Sequence, residues 1–210
     1  MNGICHIIGA GDFYKEHLRY GEGDFLIAAD AGYSYLKSVG LSPDVTIGDF
    51  DSLGQVPDTE KIILPVNKND TDTGYAARWA YNKGFRRFEL HGCTGGRFDH
   101  TIANLQTAAM LSRLGCDVRI HDKLYTYYAL TDSSISFGSE AIGTVSVLAH
   151  GSKATVSIEG LEYELNSTVI DPFYPLGVSN AFTSQKSRIT VHSGTILVIA
   201  PSDTVGTIKI

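Results

Sequence analysis

The stretch Gly48-Asp49-Phe50-Asp51-Ser52 sets two carboxylates one residue apart, directly after the apolar run Val45-Thr46-Ile47, which reads as a short buried strand. Side chains two apart on an extended segment share a face. Mg²⁺ takes a few hard carboxylate oxygens and leaves positions for water and phosphate. The chemistry suggested is metal-assisted handling of a phosphorylated ligand. Asp is also common in surface turns, and the pair gains its weight from company. Asp30 follows a second apolar run, and Asp70, Asp72 and Asp99 each lie just before a helical pattern.

Two further segments fit the same chemistry. In His91-Gly92-Cys93-Thr94-Gly95-Gly96-Arg97-Phe98-Asp99-His100 a glycine-rich loop runs from a strand into a helix and carries an arginine. Glycines let backbone N–H groups close on an anion, a helix N-terminus adds a favourable dipole, and a guanidinium grips two phosphate oxygens. Gly95, Gly96 and Arg97 are the expected phosphate clamp, and Asp99 suits both the helix N-cap and the site. His100 receives no role. Lys68-Asn69-Asp70-Thr71-Asp72 opens another helix, which one acidic or hydroxyl side chain caps. A surplus carboxylate facing Asp49 and Asp51 across the carboxyl ends of the strands would complete a metal site. A Walker loop is absent, since no lysine follows a glycine. Gly9-Ala10-Gly11 starts a dinucleotide fingerprint, but Tyr14 stands where its third glycine belongs, so it reads as a tight turn after the first strand.

These residues need a scaffold, and the first part of the chain supplies its grammar. Up to about residue 122, apolar runs alternate with helical patterns, which predicts a parallel sheet covered by helices. The expected strands are 3–8, 25–29, 45–47, 61–64, 87–90 and 118–121. The helix over 72–83 is stopped by Gly84, with Tyr75, Ala76, Trp79 and Ala80 at helical spacing. The helix over 99–114 is stopped by Gly115, with Ile102, Leu105 and Ala109 as its apolar stripe. After Tyr125 the helical period disappears. Short alternating runs at 144–148, 154–158, 188–192 and 195–199 predict a small antiparallel sandwich or barrel. The expected division is 1–124 and 125–210. In the second part, Gly160-Leu161-Glu162-Tyr163 and Gly177-Val178-Ser179-Asn180 are the only runs that look like more than sandwich strands. On their own they read as a packed aromatic and a turn.

Composition removes several classes. A net charge of -6 with no basic run lacks the footprint of a nucleic-acid binder. No apolar stretch approaches the ~20 residues of a membrane helix. The start Met1-Asn2-Gly3-Ile4-Cys5-His6 is unlike a signal peptide, so the cytoplasm is the expected compartment. Cys5, Cys93 and Cys116 form no close pair and are expected as small buried hydrophobes.

Together the motifs resemble the thiamine pyrophosphokinase family, through both parts and in order. Ala29-Asp30-Ala31-Gly32 resembles its Ala-Asp-Gly-Gly. Pro43-Asp44 followed by Gly48 to Ser52 resembles its Gly-Asp-x-Asp-Ser, and Lys68 to Asp72 its Lys-Asp-x-Thr-Asp. Gly95 to His100 resembles its Gly-Gly-Arg-x-Asp-His. Two departures are Ala31 for the usual second glycine, which would crowd the backbone slightly, and Asn69 for the usual Asp, which shifts weight onto Asp72 with Asp70 as a substitute.

The resemblance implies a Rossmann-like α/β domain, then an all-β sandwich, and a homodimer with thiamine between subunits. It implies diphosphate transfer from ATP to thiamine, giving AMP and thiamine diphosphate. On that basis Asp49, Asp51 and Asp72 would hold Mg²⁺, and Asp30, Thr71, Gly95, Gly96, Arg97 and Asp99 would bind ATP. Tyr163, Ser179 and Asn180 would contact thiamine. Two rival readings stand beside it. One is a haloacid-dehalogenase-like phosphatase with Asp49 as nucleophile, which wants a second acid pair late in the helical part. The other is a sensor that binds nucleotide or thiamine without turnover.

Overall fold

The computed structural model describes residues 3–49, 59–65 and 70–210. The chain divides into two compact units, one of residues 1–107 and 120–122, the other of 108–119 and 123–210.

In the first unit, β1 (Cys5–Ile8), β2 (Phe25–Ala29), β3 (Val45–Gly48), β4 (Lys61–Ile63) and β5 (Arg87–His91) form parallel pairs in the order β5-β1-β2-β3-β4. Residues of β1, β2 and β3 are almost all buried, as expected of strands covered on both faces. Three helices follow strands: α1 (Gly32–Ser38), α2 (Asp72–Asn82) and α3 (Phe98–Arg113). The small residues Ala76, Ala77 and Ala80 are the buried stripe of α2, which contacts β1, β2 and β3. Tyr75 and Trp79 are half-buried at its flank, Trp79 beside Phe25 at 6.1 Å between ring centroids.

Two expectations about helices are corrected. In α3, Ala109 is buried and Leu105 half-buried as expected, but Ile102 is exposed, and the buried stripe also takes in Asn104, Thr107, Ala108 and Leu111. The polar members of that stripe are tolerated because each is bonded: Asn104 Nδ2 donates to the Cys93 carbonyl at 2.9 Å and Thr107 Oγ1 to the Ala103 carbonyl at 2.9 Å. Helix α1, missed in the sequence, is a seven-residue piece too short to display a period. Its Ala31 cap has ordinary helical dihedrals (φ -62, ψ -11), so the backbone there makes no demand for a glycine. The need for glycine falls on Gly32, where an added Cβ would run into the Ile8 carbonyl.

Strand β6 (Asp117–His121) is followed in the second unit by β7 (Tyr125–Thr131), β8 (Ser134–Phe137), β9 (Thr144–Ala149), β10 (Ala154–Glu159), β11 (Leu165–Ile170), β12 (Gly177–Ala181), β13 (Ser187–Ser193), β14 (Thr195–Pro201) and β15 (Thr207–Lys209). They pair antiparallel as β12-β9-β14-β7 and as β11-β10-β13-β8-β15. Inward side chains of both layers, among them Leu130, Ile135, Val147, Val156, Ile189 and Val198, meet in one apolar core. Cys5, Cys93 and Cys116 are buried free thiols. Among the described residues no helix is long and apolar enough to cross a membrane.

Replacing Gly32 with alanine is expected to cost about 1–3 kcal/mol, since the clash is with backbone rather than with a side chain free to swing away. A urea titration would show this as a lowered midpoint at unchanged slope. A parental midpoint would mean that β1 yields without cost.

Candidate active site

The polar residues singled out in the first unit gather where parallel strands end. Gly9, Gly11 and Asp12, beyond β1, donate their N–H groups to the carbonyls of His91 (2.7 Å), Gly92 (2.7 Å) and Thr94 (2.8 Å), beyond β5. At Gly11 a Cβ would strike the carbonyls of Thr94 and Gly92. The run Gly9-Ala10-Gly11 is thus a turn, as its sequence suggests, but one that braces the second glycine-rich loop. In that loop Gly95 and Gly96 adopt left-handed dihedrals (φ 74 and 55), the kind of backbone that turns successive N–H groups toward an anion.

A cavity of about 330 Å³ opens here, lined by Asp12, Asp30, Thr71 and Asp72 together with Gly95, Gly96 and Arg97. Asp30 follows β2 in a left-handed conformation (φ 49), its N–H bonded to the Ile47 carbonyl at 2.9 Å. Asp49 follows β3 and is half-buried. Asp51 lies outside the described residues, as do Ser52, Lys68 and Asn69. Among the described residues, Asp30, Asp49 and Asp72 do not bring three carboxylate oxygens together. The cavity wall itself still suits Mg²⁺: Asp30 and Asp72 are hard oxygen donors, and one or two carboxylates suffice for an ion that keeps water and phosphate as its other ligands.

At the start of α2 the three polar residues divide the work. Thr71 is the cap: its backbone is extended (φ -80, ψ 154) and its Oγ1 accepts from Gly74 N–H at 3.0 Å. Asp70 pairs with Arg78, and Asp72 lines the cavity.

Arg97 and Asp99 are arranged differently from expectation. Helix α3 begins at Phe98, so Asp99 is a first-turn residue rather than the N-cap. Its carboxylate accepts from Arg97 Nε (3.2 Å) and Nη2 (2.7 Å) and from His100 N–H (3.0 Å). The guanidinium holds the Asp99 carboxyl below the usual carboxylate range. Asp99 is not part of the cavity lining, whereas Arg97 is. Asn104, which the sequence reading passed over, ties the Cys93 carbonyl to α3. Cys93, buried as expected, lines the cavity, but burial pushes its thiol up to about 12, so it offers no thiolate. An Asn inside a helical stripe was the available signal for Asn104.

In the second unit, Tyr163 and Asn180 line a cavity of about 290 Å³ with Ile158, Leu165, Leu176 and Val178. The Asn180 amide is largely committed to the fold. Oδ1 accepts from Tyr163 N–H and Ala181 N–H, both at 2.9 Å, and Nδ2 donates to the Tyr163 carbonyl at 2.7 Å. One N–H remains for a ligand. Ser179 is outside the lining and left-handed (φ 60), its N–H bonded to Ser146 Oγ at 3.1 Å.

A glycine-rich loop and carboxylates gathered at the ends of parallel strands are the arrangement expected of a ligand crevice in an α/β protein. Comparison with known proteins agrees. The family model for the thiamin pyrophosphokinase catalytic domain matches residues 19–120, and that for the thiamin pyrophosphokinase vitamin B1 binding domain matches 133–196. A thiamine pyrophosphokinase of Bacillus subtilis is 24% identical over 187 residues, covering 84% of this chain and 87% of its own. Among solved structures, the thiamine pyrophosphokinase of Bacillus subtilis aligns with a TM-score of 0.84 at 22% identity, over 95% of this chain and 99% of that one. The Geobacillus thermodenitrificans protein gives 0.81 at 24% identity, over 95% and 98%. The Candida albicans protein gives 0.76 at 13%, over 95% and 89%. The chain belongs to the thiamine pyrophosphokinase family and is an enzyme of that family. The haloacid-dehalogenase-like and sensor readings find no support in these matches.

Because the Asn180 amide holds both backbone groups of Tyr163, Asn180→Ala is expected to lower stability by about 1–3 kcal/mol. Ser179→Ala should stay within about 0.5 kcal/mol. Urea titration of both variants checks the contrast, and equal midpoints would contradict it.

Proposed function

We propose that the chain transfers the β,γ-diphosphate of ATP to the hydroxyl of thiamine, with Mg²⁺, releasing AMP and thiamine diphosphate. The observation that carries this reading is the mixed polarity of the first cavity: Asp12, Asp30 and Asp72 line it together with Arg97 and a glycine-rich loop. Bare polyphosphate would be repelled by three carboxylates, and a bare cation has no need of the loop; a polyphosphate with its cation suits both sides. Membership of the family supplies the two substrates.

In this reading the alcohol oxygen attacks the β-phosphorus and the bond to the α,β-bridging oxygen breaks, leaving AMP. Asp49, Asp51 and Asp72 would hold the Mg²⁺, whose contribution is to neutralise phosphate charge. The chain's own part is positioning. Gly95 and Gly96 present backbone N–H groups to phosphate oxygens. Arg97 keeps N–H groups beyond the two bound to Asp99, so it grips phosphate while Asp99 fixes its plane. Asp30 and Thr71 order the phosphates and their water, and an aspartate of this wall takes the alcohol proton late, since a loose transition state demands little of a base.

On the acceptor side the exposed face of Tyr163 stacks on the cationic thiamine rings, and the remaining N–H of Asn180, with Ser179, meets the pyrimidine edge. A Rossmann-like nucleotide domain and a homodimer that shares each site between subunits complete the reading, both on the strength of the family resemblance.

Incubation with ATP, Mg²⁺ and thiamine should yield AMP in step with thiamine diphosphate; ADP with thiamine monophosphate, or phosphate without thiamine, would refute the reaction. In the same assay Asp72→Asn should keep the fold yet reduce turnover by orders of magnitude. Activity within a few-fold of the parent at saturating Mg²⁺ would remove Asp72 from the site.

The shared site is tested by mixing Asp49→Ala with the Tyr163→Ala, Ser179→Ala double variant. Random exchange at equal amounts makes half the dimers mixed, each with one intact site of two, so about a quarter of parental activity should return. No recovery after exchange confirmed by mass would place each site within one chain.

A further inference from the structure

A second polar cluster lies in the first unit, on β1 and β5. His6 of β1 pairs in register with Glu89 of β5, and Ile8 with His91, so the three polar side chains share one face of the sheet. His6 and His91 are 0% and 1% exposed. His6 Nδ1 stands 3.3 Å from His91 Nε2 and 3.8 Å from Glu89 Oε2, and the three donor atoms lie within 4.8 Å of one another. His121 Nε2 is 3.5 Å from the same Glu89 oxygen. The His91 ring lies between those of His6 and His121, at 5.6 and 4.8 Å between centroids, and His17 stacks on His121 at 6.2 Å.

From this geometry we propose that His6, Glu89 and His91 form a binding site for a zinc-class divalent ion, distinct from the Mg²⁺ site, with His121 Nε2 as a fourth donor. Two nitrogens bound to one tetrahedral zinc at 2.0–2.1 Å stand about 3.3–3.4 Å apart, the separation found between His6 and His91. The His6–Glu89 edge is 3.8 Å and the third is no longer than 4.8 Å, so closing them takes about 0.5 Å and up to about 1.5 Å of movement at a flexible carboxylate. Imidazole with carboxylate is a donor set for zinc-class ions rather than for Mg²⁺.

The surroundings of His6 carry the argument further. With Nδ1 turned to an ion, its Nε2–H faces Asp24 Oδ2 at 3.5 Å. The Asp24 carboxylate is itself fixed by the N–H groups of Ile4 (2.8 Å) and Gly21 (3.0 Å). A carboxylate behind a ligating histidine is the usual device for setting its tautomer and basicity. The two carboxylates, Glu89 and Asp24, match the charge of a divalent ion. His91 Nδ1 and His121 Nε2 have no hydrogen-bond partner among the described residues, an unusual expense for buried imidazoles with no other purpose. The ion would tie β1 to β5 just before the glycine turns that each strand feeds into the active site.

The competing account of the short nitrogen–nitrogen distance is a plain N–H···N hydrogen bond, and metal titration separates the two. The full-length chain, stripped with chelator, is titrated with Zn²⁺ and with Co²⁺ in excess Mg²⁺. One equivalent per chain is expected, with the Co²⁺ absorption of a four-coordinate nitrogen–oxygen site. The zinc X-ray absorption spectrum should show at least two imidazoles and no sulfur. His6→Gln and His91→Gln should each weaken binding at least tenfold. Failure to bind, displacement by Mg²⁺, an all-oxygen first shell, or parental affinity in either folded variant would overturn the site. If neither variant folds, the absorption spectrum of the parent decides alone.

Discussion

The active-site cavity depends on one close approach: the backbone beyond β1 lies against the backbone beyond β5 with no side chain between. Three hydrogen bonds, from Gly9, Gly11 and Asp12 to His91, Gly92 and Thr94, make the contact. Only hydrogen at the Gly11 Cα permits it. Because β1 and β5 are parallel, their carboxyl ends coincide, and the two turns they feed have to share that space. The left-handed residues Gly95 and Gly96 then carry the chain out of the contact and into α3. The anion loop is therefore held from behind by main chain, and from the helix side by the Asn104 amide on the Cys93 carbonyl.

Much of this was legible in the sequence, and the reason is physical. Buried parallel strands read as continuous apolar runs, and five of the expected strands lie within a residue or two of β1 to β5. Helix α2 was legible because Thr71 and Gly84 punctuate it at both ends. What failed was the edge of the α3 stripe. Of Ile102, Leu105 and Ala109, Ala109 is buried, Leu105 half-buried and Ile102 exposed, while Asn104, Thr107, Ala108 and Leu111 are buried as well. Hydropathy cannot rank an Asn above an Ile; only the carbonyl waiting at Cys93 does.

The candidate site was legible as residue types and less so as roles. Three adjacent polar side chains, Asp70, Thr71 and Asp72, could each have capped α2. The choice rests on where Arg78, two turns along the helix, draws Asp70. The histidines were not legible at all. His6, His17, His91 and His121 have no common spacing and become neighbours only through strand register and the segment that crosses the sheet. A motif search finds ligands close in sequence, whereas a parallel sheet brings together residues a whole β-α-β unit apart.

The pairing of Arg97 with Asp99 bears on how the loop attracts an anion. Both side chains are well exposed, 72% and 65%, so the pair contributes little to stability. It cancels the charge of the guanidinium, and at long range the loop offers a polyphosphate no net positive charge. Attraction then has to come from the oriented N–H groups and the start of α3, which act only at contact distance. What Asp99 supplies is direction. With Nε and Nη2 bound, the other N–H groups of the guanidinium point away from the carboxylate, so in the proposed function a phosphate would meet a donor fork oriented in advance.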